Sequence, residues 1–319
     1  MSKIAIKLKR FHTPLPLRNG IELPHRIMPG PMEGVMNPLF CKVLNEFKIF
    51  DYWVTPFIQV STAPPLLKTL RKKLEIYTES FGNNPIIVQL LGSKPDVILE
   101  TCKRLEDLGV TGVNFNFACP SKTVLKSGNG GAFLEKPDKM YEIILKVAEV
   151  CSKLSLSVKL RSGKSNAYEM ENFIPMLSKL PLDFIMLHYR TVEEMYKKVN
   201  ERIQRIKVAV TLSGNIPLIA SGDIFTPEDA YNLHQHTNCA GLAIARGLLK
   251  NPFLPYDLKS NYKIPESSDY REKCLRKFYD KMLKLGEEDP KYASRYYFIE
   301  IARNFWGVRS QEFQKAINK

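Results

Sequence analysis

The residues best suited to chemistry lie in Asn114-Phe115-Asn116-Phe117-Ala118-Cys119-Pro120, followed by Ser121-Lys122 and Gly128-Asn129-Gly130-Gly131. The run Gly112-Val113-Asn114-Phe115-Asn116-Phe117 alternates polar and apolar side chains, as a strand does. Pro120 has no ladder donor, so the strand stops there. Cys119 is thereby delivered to the mouth of a sheet, on a Gly-rich loop that can pass close to a ligand. An isolated cysteine is more often a buried structural residue. Here Asn114 and Asn116 share one face of the strand with nothing apolar to pack, which favours a site. A thiol ordinarily titrates near ~8.5, so at neutral pH it has a proton to give as a general acid. A neighbour that lowered its pKa would make it a nucleophile instead. Proton donation is the preferred role, and the sequence leaves open whether His188, on another strand, touches the thiol.

These groups need a frame. Short runs rich in Val, Ile, Phe or Leu, bounded by Gly, Pro or Asp, predict strands at residues 26–29, 52–57, 86–90, 113–117, 157–160, 184–188, 218–221 and 241–245. Helical patterns fall between them, at 95–108 before Gly109, at 137–154, and from Thr226, with Pro227 in the first turn and Glu228-Asp229 at the positive dipole end. Strand–helix alternation repeated eight times predicts an α/β fold, a TIM (β/α)8 barrel. A doubly wound sheet would carry its Gly-rich phosphate turn after the first strand, whereas Arg26-Ile27-Met28 leads into Pro29-Gly30-Pro31-Met32-Glu33-Gly34. From about residue 259 the strand patterns stop. Residues 269–285 and 292–306 read as amphipathic helices joined by Gly286-Glu287-Glu288-Asp289-Pro290. The expected division is a barrel over 1–258 and a small all-helical domain over 259–319.

In such a barrel, chemistry gathers at the C-terminal ends of the strands. Those ends hold Met32-Glu33, Gln89, Asn114 with Asn116 and Cys119, Lys159 with Arg161, His188 with Arg190, Ser221-Gly222-Asp223, and Ala245-Arg246-Gly247. Any one could be a satisfied core polar group; so many on one rim imply a polar ligand. Gly222 and Gly247 offer backbone donors for a phosphate, with Arg246 as counter-charge. Lys159 beside the amides of Gln89 and Asn114 suits an electron-rich heterocycle that gains negative charge, which favours FMN over a phosphorylated sugar.

The chain has 47 Lys+Arg against 33 Asp+Glu, a net charge of +14, and that excess favours a polyanionic partner, nucleic acid before membrane. Residues 259–319 hold 14 basic and 9 acidic side chains, with Arg295, Arg303 and Arg309 interleaved with Tyr296, Tyr297, Phe305 and Trp306. Such a mixture could stack bases and neutralise phosphates, although most of the aromatics would form the core of the helical bundle. Six scattered cysteines form no C-x-x-C pair, so no zinc site is expected. No signal-peptide pattern opens the chain, and reduced thiols in the cytoplasm, with no membrane and no obligate protein partner, are the expectation.

Pro31-Met32-Glu33-Gly34-Val35, the stretch from Asn114 to Val124 with residues 128–134, Val158-Lys159-Leu160-Arg161, and His188-Tyr189-Arg190-Thr191 together resemble the tRNA-dihydrouridine synthases, most of all their C-type bacterial branch. Likeness runs over roughly residues 25–255. The resemblance implies an FMN enzyme in which NADPH reduces the flavin, hydride passes to C6 of a uridine in tRNA, and a cysteine matching Cys119 protonates C5. It implies that Pro31, Met32 and Glu33 border the flavin, that Gln89 and Lys159 bind its ring edge with Asn114 near flavin and substrate, that His188 contacts the flavin or the uracil, and that Ser221, Gly222, Asp223, Ala245 and Arg246 hold its phosphate. Asn116, Arg190 and Tyr196 would hold the target nucleotide, and Arg295 and Arg303 in the tail would bind RNA. Four positions depart from the family pattern. Ala118 and Ala245 stand where Gly is usual, Ser221 where Asn is usual, and Tyr189 where a small residue is usual. Of these, Tyr189 is expected to reshape the substrate pocket. Competing readings are reduction of ribosomal RNA, a small-molecule flavin oxidoreductase of the dihydroorotate dehydrogenase type, and an RNA-binding protein with a structural flavin.

Overall fold

The computed structural model describes residues 9–34, 36–78, 84–259 and 268–318. An antiparallel hairpin of β1 (Leu15–Pro16) and β2 (Glu22–Leu23) precedes the main sheet. The sheet holds β3 (Ile27–Pro29), β4 (Trp53–Val54), β6 (Ile86–Leu91), β7 (Gly112–Phe117), β8 (Ser155–Arg161), β9 (Phe184–His188), β10 (Leu218–Ser221) and β11 (Gly241–Ile244), with β5 (Ile58–Gln59) added on β6. All its pairings are parallel, and β11 returns to pair with β3. Helices such as Pro38–Glu46, Pro95–Asp107, Pro137–Val150 and Pro227–Thr237 follow the strands. This is the expected TIM barrel, with each of the eight strands where the sequence puts it. The second is shorter than expected, because Pro56 has no N–H with which to continue the ladder. The Pro137 helix ends at Val150 rather than 154, since β8 already begins at Ser155.

No ladder joins β3 to β4 among the described residues. The Tyr52 hydroxyl spans that seam, 2.9 Å from the His25 carbonyl and 3.1 Å from that of Ile27. Behind it, Asp51 accepts from His25 Nε2 and from Lys259 Nζ, each at 2.8 Å. The barrel is thus closed by side chains where the backbone ladder is missing.

Alternation along the strands separates two environments. Outward residues such as Val88, Phe115, Val158, Leu187 and Ala220 pack against the helices. Inward ones at the lower level, Met28, Tyr52, Val54, Ile87, Phe184, Met186, Ile219 and Ala243, make a second apolar cluster that Leu15, Leu17 and Leu23 of the hairpin plug from below. Above this floor the same inward rows turn polar. Register aligns Gln89 with Asn114 and Asn114 with Ser157, then Asn116 with Lys159, and at the rim Arg161 with His188 and His188 with Ser221.

C-terminal to the barrel, helices span Ser268–Glu288, Arg295–Trp306 and Gln311–Asn318. The first runs through Gly286 instead of breaking there. A Cβ on Gly286 would stand 2.8 Å from Ala293 and from the Phe298 ring, so this glycine serves close helix packing rather than a turn. Phe278 is fully buried, with ring centroids 5.4 Å from Phe40 on the Pro38–Glu46 helix and 5.6 Å from Phe47 just after it. The tail therefore shares its core with the barrel's outer layer. The short third helix carries no strong sequence signal beyond Phe313, its buried anchor.

Tyr52→Phe removes the hydroxyl from two buried carbonyls and is expected to destabilise the protein by about 1–3 kcal/mol, read by urea unfolding. An unchanged midpoint would mean that the seam does not depend on this side chain.

Candidate active site

The polar rows form one continuous chain of hydrogen bonds. Ser157 Oγ accepts from Asn114 Nδ2 at 2.9 Å, Asn114 Oδ1 from Gln89 Nε2 at 2.7 Å, and Gln89 Oε1 from Asn116 Nδ2 at 2.8 Å. Asn116 Oδ1 then accepts the backbone N–H groups of both Ala118 and Cys119, at 3.0 Å each. A row of amides inside the barrel thus ends on the peptide that carries the thiol. Gly131 N–H donates to the Cys119 carbonyl at 3.0 Å, and a Cβ on Gly130 would stand 2.9 Å from Cys119 Cβ. The Gly-rich loop is needed because it lies directly against the cysteine.

Around this row the charge is one-sided. Lys159 and Arg161 project from β8 and have no ion-pair partner among the described residues, while Arg190 and Arg246 share Asp223. Burial first, then Arg161 nearby, holds the Lys159 ammonium down to about 8. Burial pushes Arg161 down to about 10, with Arg190 and Arg246 adding to the effect against the pull of Tyr196 and Cys119. His188 lies well below the ordinary imidazole range, through burial first and then through Arg161, Lys159, Arg190 and Arg246. It is therefore neutral. Its Nδ1 accepts from the Arg190 N–H at 3.3 Å, which places the proton on Nε2, beside Gly222. No hydrogen bond joins His188 to Cys119 among the described residues, so the two do not form a nucleophile–base pair.

Asp223 is the hub of the far rim. Its carboxylate accepts from Arg190, Arg246 and the Tyr189 hydroxyl, and its carbonyl from Arg202 at 2.7 Å. Burial opposes ionisation of this carboxyl, but its hydrogen bonds to Arg190 and Tyr189 outweigh that and hold it below the usual carboxylate range. Asp223 has φ +51°, and Gly222 has φ +109° and could not bear a Cβ, which would meet the Tyr189 ring at 2.8 Å. The backbone N–H groups of Gly222, Asp223 and Arg246 donate to no acceptor among the described residues. A Cβ on Gly247 would lie 2.1 Å from the Ile224 carbonyl. Free donors, an arginine and close-packed glycines suit a phosphate.

The remaining predicted residues fall less evenly. Pro31 is buried and Met32 half-buried near the rim, while Glu33 is exposed, its carboxyl raised by partial burial. Tyr196 is 53% exposed, its ring between the guanidinium groups of Arg246 at 4.8 Å and Arg161 at 5.5 Å. Arg190 is only 2% exposed and donates through Nε to the Lys197 carbonyl and through Nη2 to Asp223. Its Nη1 is buried without a hydrogen-bond partner among the described residues. Arg295 bonds the Ile317 carbonyl and Arg303 pairs with Glu300 at 2.7 Å, both within the tail and away from the amide row. Sequence reasoning gave no role to Arg161, Ser157 or Arg202. A signal existed for the first two: Ser157, Lys159 and Arg161 alternate along one strand, so they share its inward face.

Residues 28–316 match the family model described as Dihydrouridine synthase (Dus). The chain belongs to the dihydrouridine synthase family. Curated relatives include the tRNA-dihydrouridine(16) synthases of Haemophilus ducreyi, 34% identical over 74% of this chain and 74% of that one, and of Vibrio vulnificus, 30% identical over 75% and 76%. The namesake from Haemophilus influenzae is 29% identical over 91% and 92%. Among solved structures, histamine dehydrogenase from Rhizobium sp. 4-9 superposes with TM-score 0.62 at 13% identity, covering 79% of this chain and 48% of that one. A variant of NCR from Zymomonas mobilis gives 0.58 at 15%, covering 78% and 90%. These structures share the fold.

Within this dihydrouridine synthase, three of the four departures from the family pattern are explained by geometry. Neither Ala118 nor Ala245 has positive φ, so a methyl group costs no backbone strain at either place. Ala245 Cβ sits where a Cβ on Gly30 would come within 2.9 Å, so Gly30 makes room for it. Tyr189 is 1% exposed, stacked on His188 with rings 7° from parallel, and hydrogen-bonded to Asp223 at 2.6 Å. It braces His188 and Asp223 at the rim. Nothing in the structure explains Ser221 in place of Asn.

Burying the Lys159 cation costs stability below about pH 8. As pH rises from there towards its ordinary 10.5, the unfolded chain holds the proton that the folded one has lost, so stability increases. Lys159→Met is therefore expected to unfold at higher denaturant than the wild type at pH 7, with the gap narrowing across that window. A gap independent of pH would show that Lys159 carries no buried charge.

Proposed function

We propose that this protein is a cytoplasmic tRNA-dihydrouridine synthase that reduces a uridine of transfer RNA to 5,6-dihydrouridine, with FMN as its flavin and NADPH as electron source. The observation that carries this reading is the charge imbalance at the barrel mouth: Lys159 and Arg161 unpaired, Arg190 and Arg246 sharing one carboxylate. Such a site calls for an anion with a polar, electron-rich body. Lys159 with Gln89 and Asn114 would hold the isoalloxazine edge, His188 would offer its Nε2–H, and Ser221, Gly222, Asp223, Ala245 and Arg246 would hold the phosphate. Pro31, Met32 and Glu33 would border the ring. Bound flavin, reduced by NADPH, supplies the hydride taken up at C6 of the uracil.

This chain's part is to present the thiol. Cys119 gives its proton to C5, so that hydride and proton together saturate the C5–C6 double bond, and the thiolate recovers a proton from solvent. Asn116 holds the cysteine's peptide from the barrel side and the Gly130–Gly131 segment from the loop side, so the acid is positioned before substrate arrives. All six cysteines are free thiols, in keeping with a reducing compartment, and no described helix is long and apolar enough to cross a membrane.

Support for RNA comes from a cavity of about 890 Å³ beside the barrel mouth, bounded by residues following β3 and β4, the Leu67–Thr78 helix and the link between the first two tail helices. Lys42, Lys72, Lys73 and Lys291 line it with Phe57 and Tyr292. None of these lysines makes an ion pair among the described residues, unlike Arg303. Free ammonium groups there would track a phosphate backbone while the target base is turned out into the barrel. The activity for which the curated relatives are named supports transfer RNA over ribosomal RNA and makes position 16 the first to test.

Mass-spectrometric mapping of dihydrouridine in RNA from cells with and without the gene is expected to show loss at position 16 of tRNA. Loss in ribosomal RNA, or turnover of free uracil or orotate with none on RNA, would reject the assignment. Cys119→Ala should keep its flavin and its reduction by NADPH but lose at least about 100-fold in turnover on RNA; retained turnover would dismiss the thiol as the acid. Replacing Lys72 and Lys73 by Ala should weaken RNA binding and lower its salt slope by about one for each phosphate that is no longer neutralised. Equal affinity at low salt would move the RNA path elsewhere, with Arg295 and Arg303 as the next candidates.

A further inference from the structure

Arg161 is 3% exposed and carries a charge with no carboxylate to answer it. It donates instead to three backbone carbonyls on two separate segments. Nε bonds the Ala118 carbonyl at 3.0 Å, and Nη1 bonds those of Thr191 at 2.7 Å and Met195 at 2.9 Å. The first segment carries Cys119. The second follows β9 and leads into Tyr196, whose ring lies 5.5 Å from the same guanidinium. Met195 has φ +53°, a conformation that costs a non-glycine residue energy and persists only when its surroundings enforce it. Here the enforcing contact is the Arg161 bond to the Met195 carbonyl, together with the Met195 N–H donated to Val192 at 3.1 Å.

A buried guanidinium without an anion is expensive unless its donors are satisfied. Two of the three nitrogens of Arg161, Nε and Nη1, are taken up by backbone carbonyls. Its place is fixed by the strand, since Arg161 pairs in register with His188 and its side chain rises from the same face as Lys159. Its planar fork can reach segments at different heights, which the single-point ammonium of lysine cannot.

We propose that Arg161 is a positioning residue for the reduction. It ties the loop bearing the Cys119 acid to the segment bearing Tyr196, and so fixes how far the proton donor stands from a pyrimidine held at that mouth. This rests on the function proposed above, but the bracing itself does not need it. Asn116 takes the two N–H groups of the cysteine's segment and Arg161 takes its preceding carbonyl. The peptide is gripped on both edges. Lys159, Arg190 and Arg246 make no hydrogen bond to Arg161 among the described residues.

The test uses the full-length flavin-loaded enzyme with Arg161→Lys, which keeps the charge and loses the fork, and Arg161→Gln beside it. Three quantities are read: the rate at which NADPH reduces the flavin, the rate at which saturating tRNA reoxidises it in a single turnover, and alkylation of Cys119 by iodoacetamide, followed by mass spectrometry of its peptide. For the lysine variant, flavin reduction and tRNA affinity are expected to be unchanged, reoxidation slower by about 100-fold through misplacement of the acid, and Cys119 alkylation faster because its segment is released. Wild-type reoxidation in Arg161→Lys would show that charge alone suffices and would overturn the proposal. So would unaltered alkylation in both variants, a result independent of any RNA chemistry. If wild-type enzyme fails to be reoxidised by tRNA while alkylation still rises in the variants, the bracing stands and the functional reading falls. A variant that fails to fold is separated from these outcomes by its circular dichroism, and Arg161→Gln then carries the alkylation measurement.

Discussion

Positive charge held without a full set of counter-charges is the constraint around which the rest of this molecule is arranged. Lys159, Arg161, Arg190 and Arg246 all bear on His188, and Asp223 is the carboxylate bonded among them. Removing cations from water is costly, and repulsion between them adds to the cost. A loosely packed site would relieve it by letting the side chains swing into solvent. Here they cannot, because Lys159 and Arg161 rise from a strand bonded on both sides, Arg190 is buried, and Asp223 is fixed by four donors. The neutrality of His188 follows from the same field. An anionic ligand would find the cost of assembling its counter-charges already met by the fold.

That rigidity comes from dividing the barrel interior into two levels. Below, Met28, Ile87, Phe184, Met186 and Ile219 pack as an ordinary apolar core and the N-terminal hairpin seals them. Above, the same strands carry Gln89, Asn114, Asn116 and Ser157, whose amides and hydroxyl satisfy one another in sequence. Each level needs the other. The polar row would be expensive without complete hydrogen bonding, and it would drift without the packed floor that fixes the register of its strands. The chain of amides ends on the Cys119 peptide, so the position of the thiol is set by the barrel and not by its surface loop alone.

Much of this arrangement is legible in the sequence, because a strand's period of two is simple and the barrel places function at one end of every strand. Eight short apolar runs give the fold, and the polar residues at their ends give the rim. Cys119, Lys159 and His188 emerge from that reading without any knowledge of packing. What resists is direction. Arg190 and Arg161 both look like rim residues, yet each gives two of its nitrogens to backbone or to Asp223, and nothing local in the sequence says so. Tyr189 reads as a change to the pocket, and nothing local says that its ring is buried against His188 and bonded to Asp223. Gly286 reads as a helix break, whereas the partner it lets approach, Phe298, is remote in sequence. In each case the deciding contact is long-range, and a pattern of neighbours cannot carry it.

The division of labour between strands and helices has a further consequence for the choice of substrate. Groups fit for chemistry sit on strand ends and are hydrogen-bonded into the barrel, so changing one disturbs its neighbours. The lysines on the proposed RNA path, Lys42, Lys72, Lys73 and Lys291, lie on helices and loops and make no ion pair among the described residues. Substitutions there alter the electrostatic path of a polyanion while leaving the amide row and the cation cluster intact. On the proposed function, small changes in surface charge there would alter the path of an RNA at little cost in stability. The reaction itself is constrained by a connected network in which few single replacements are neutral.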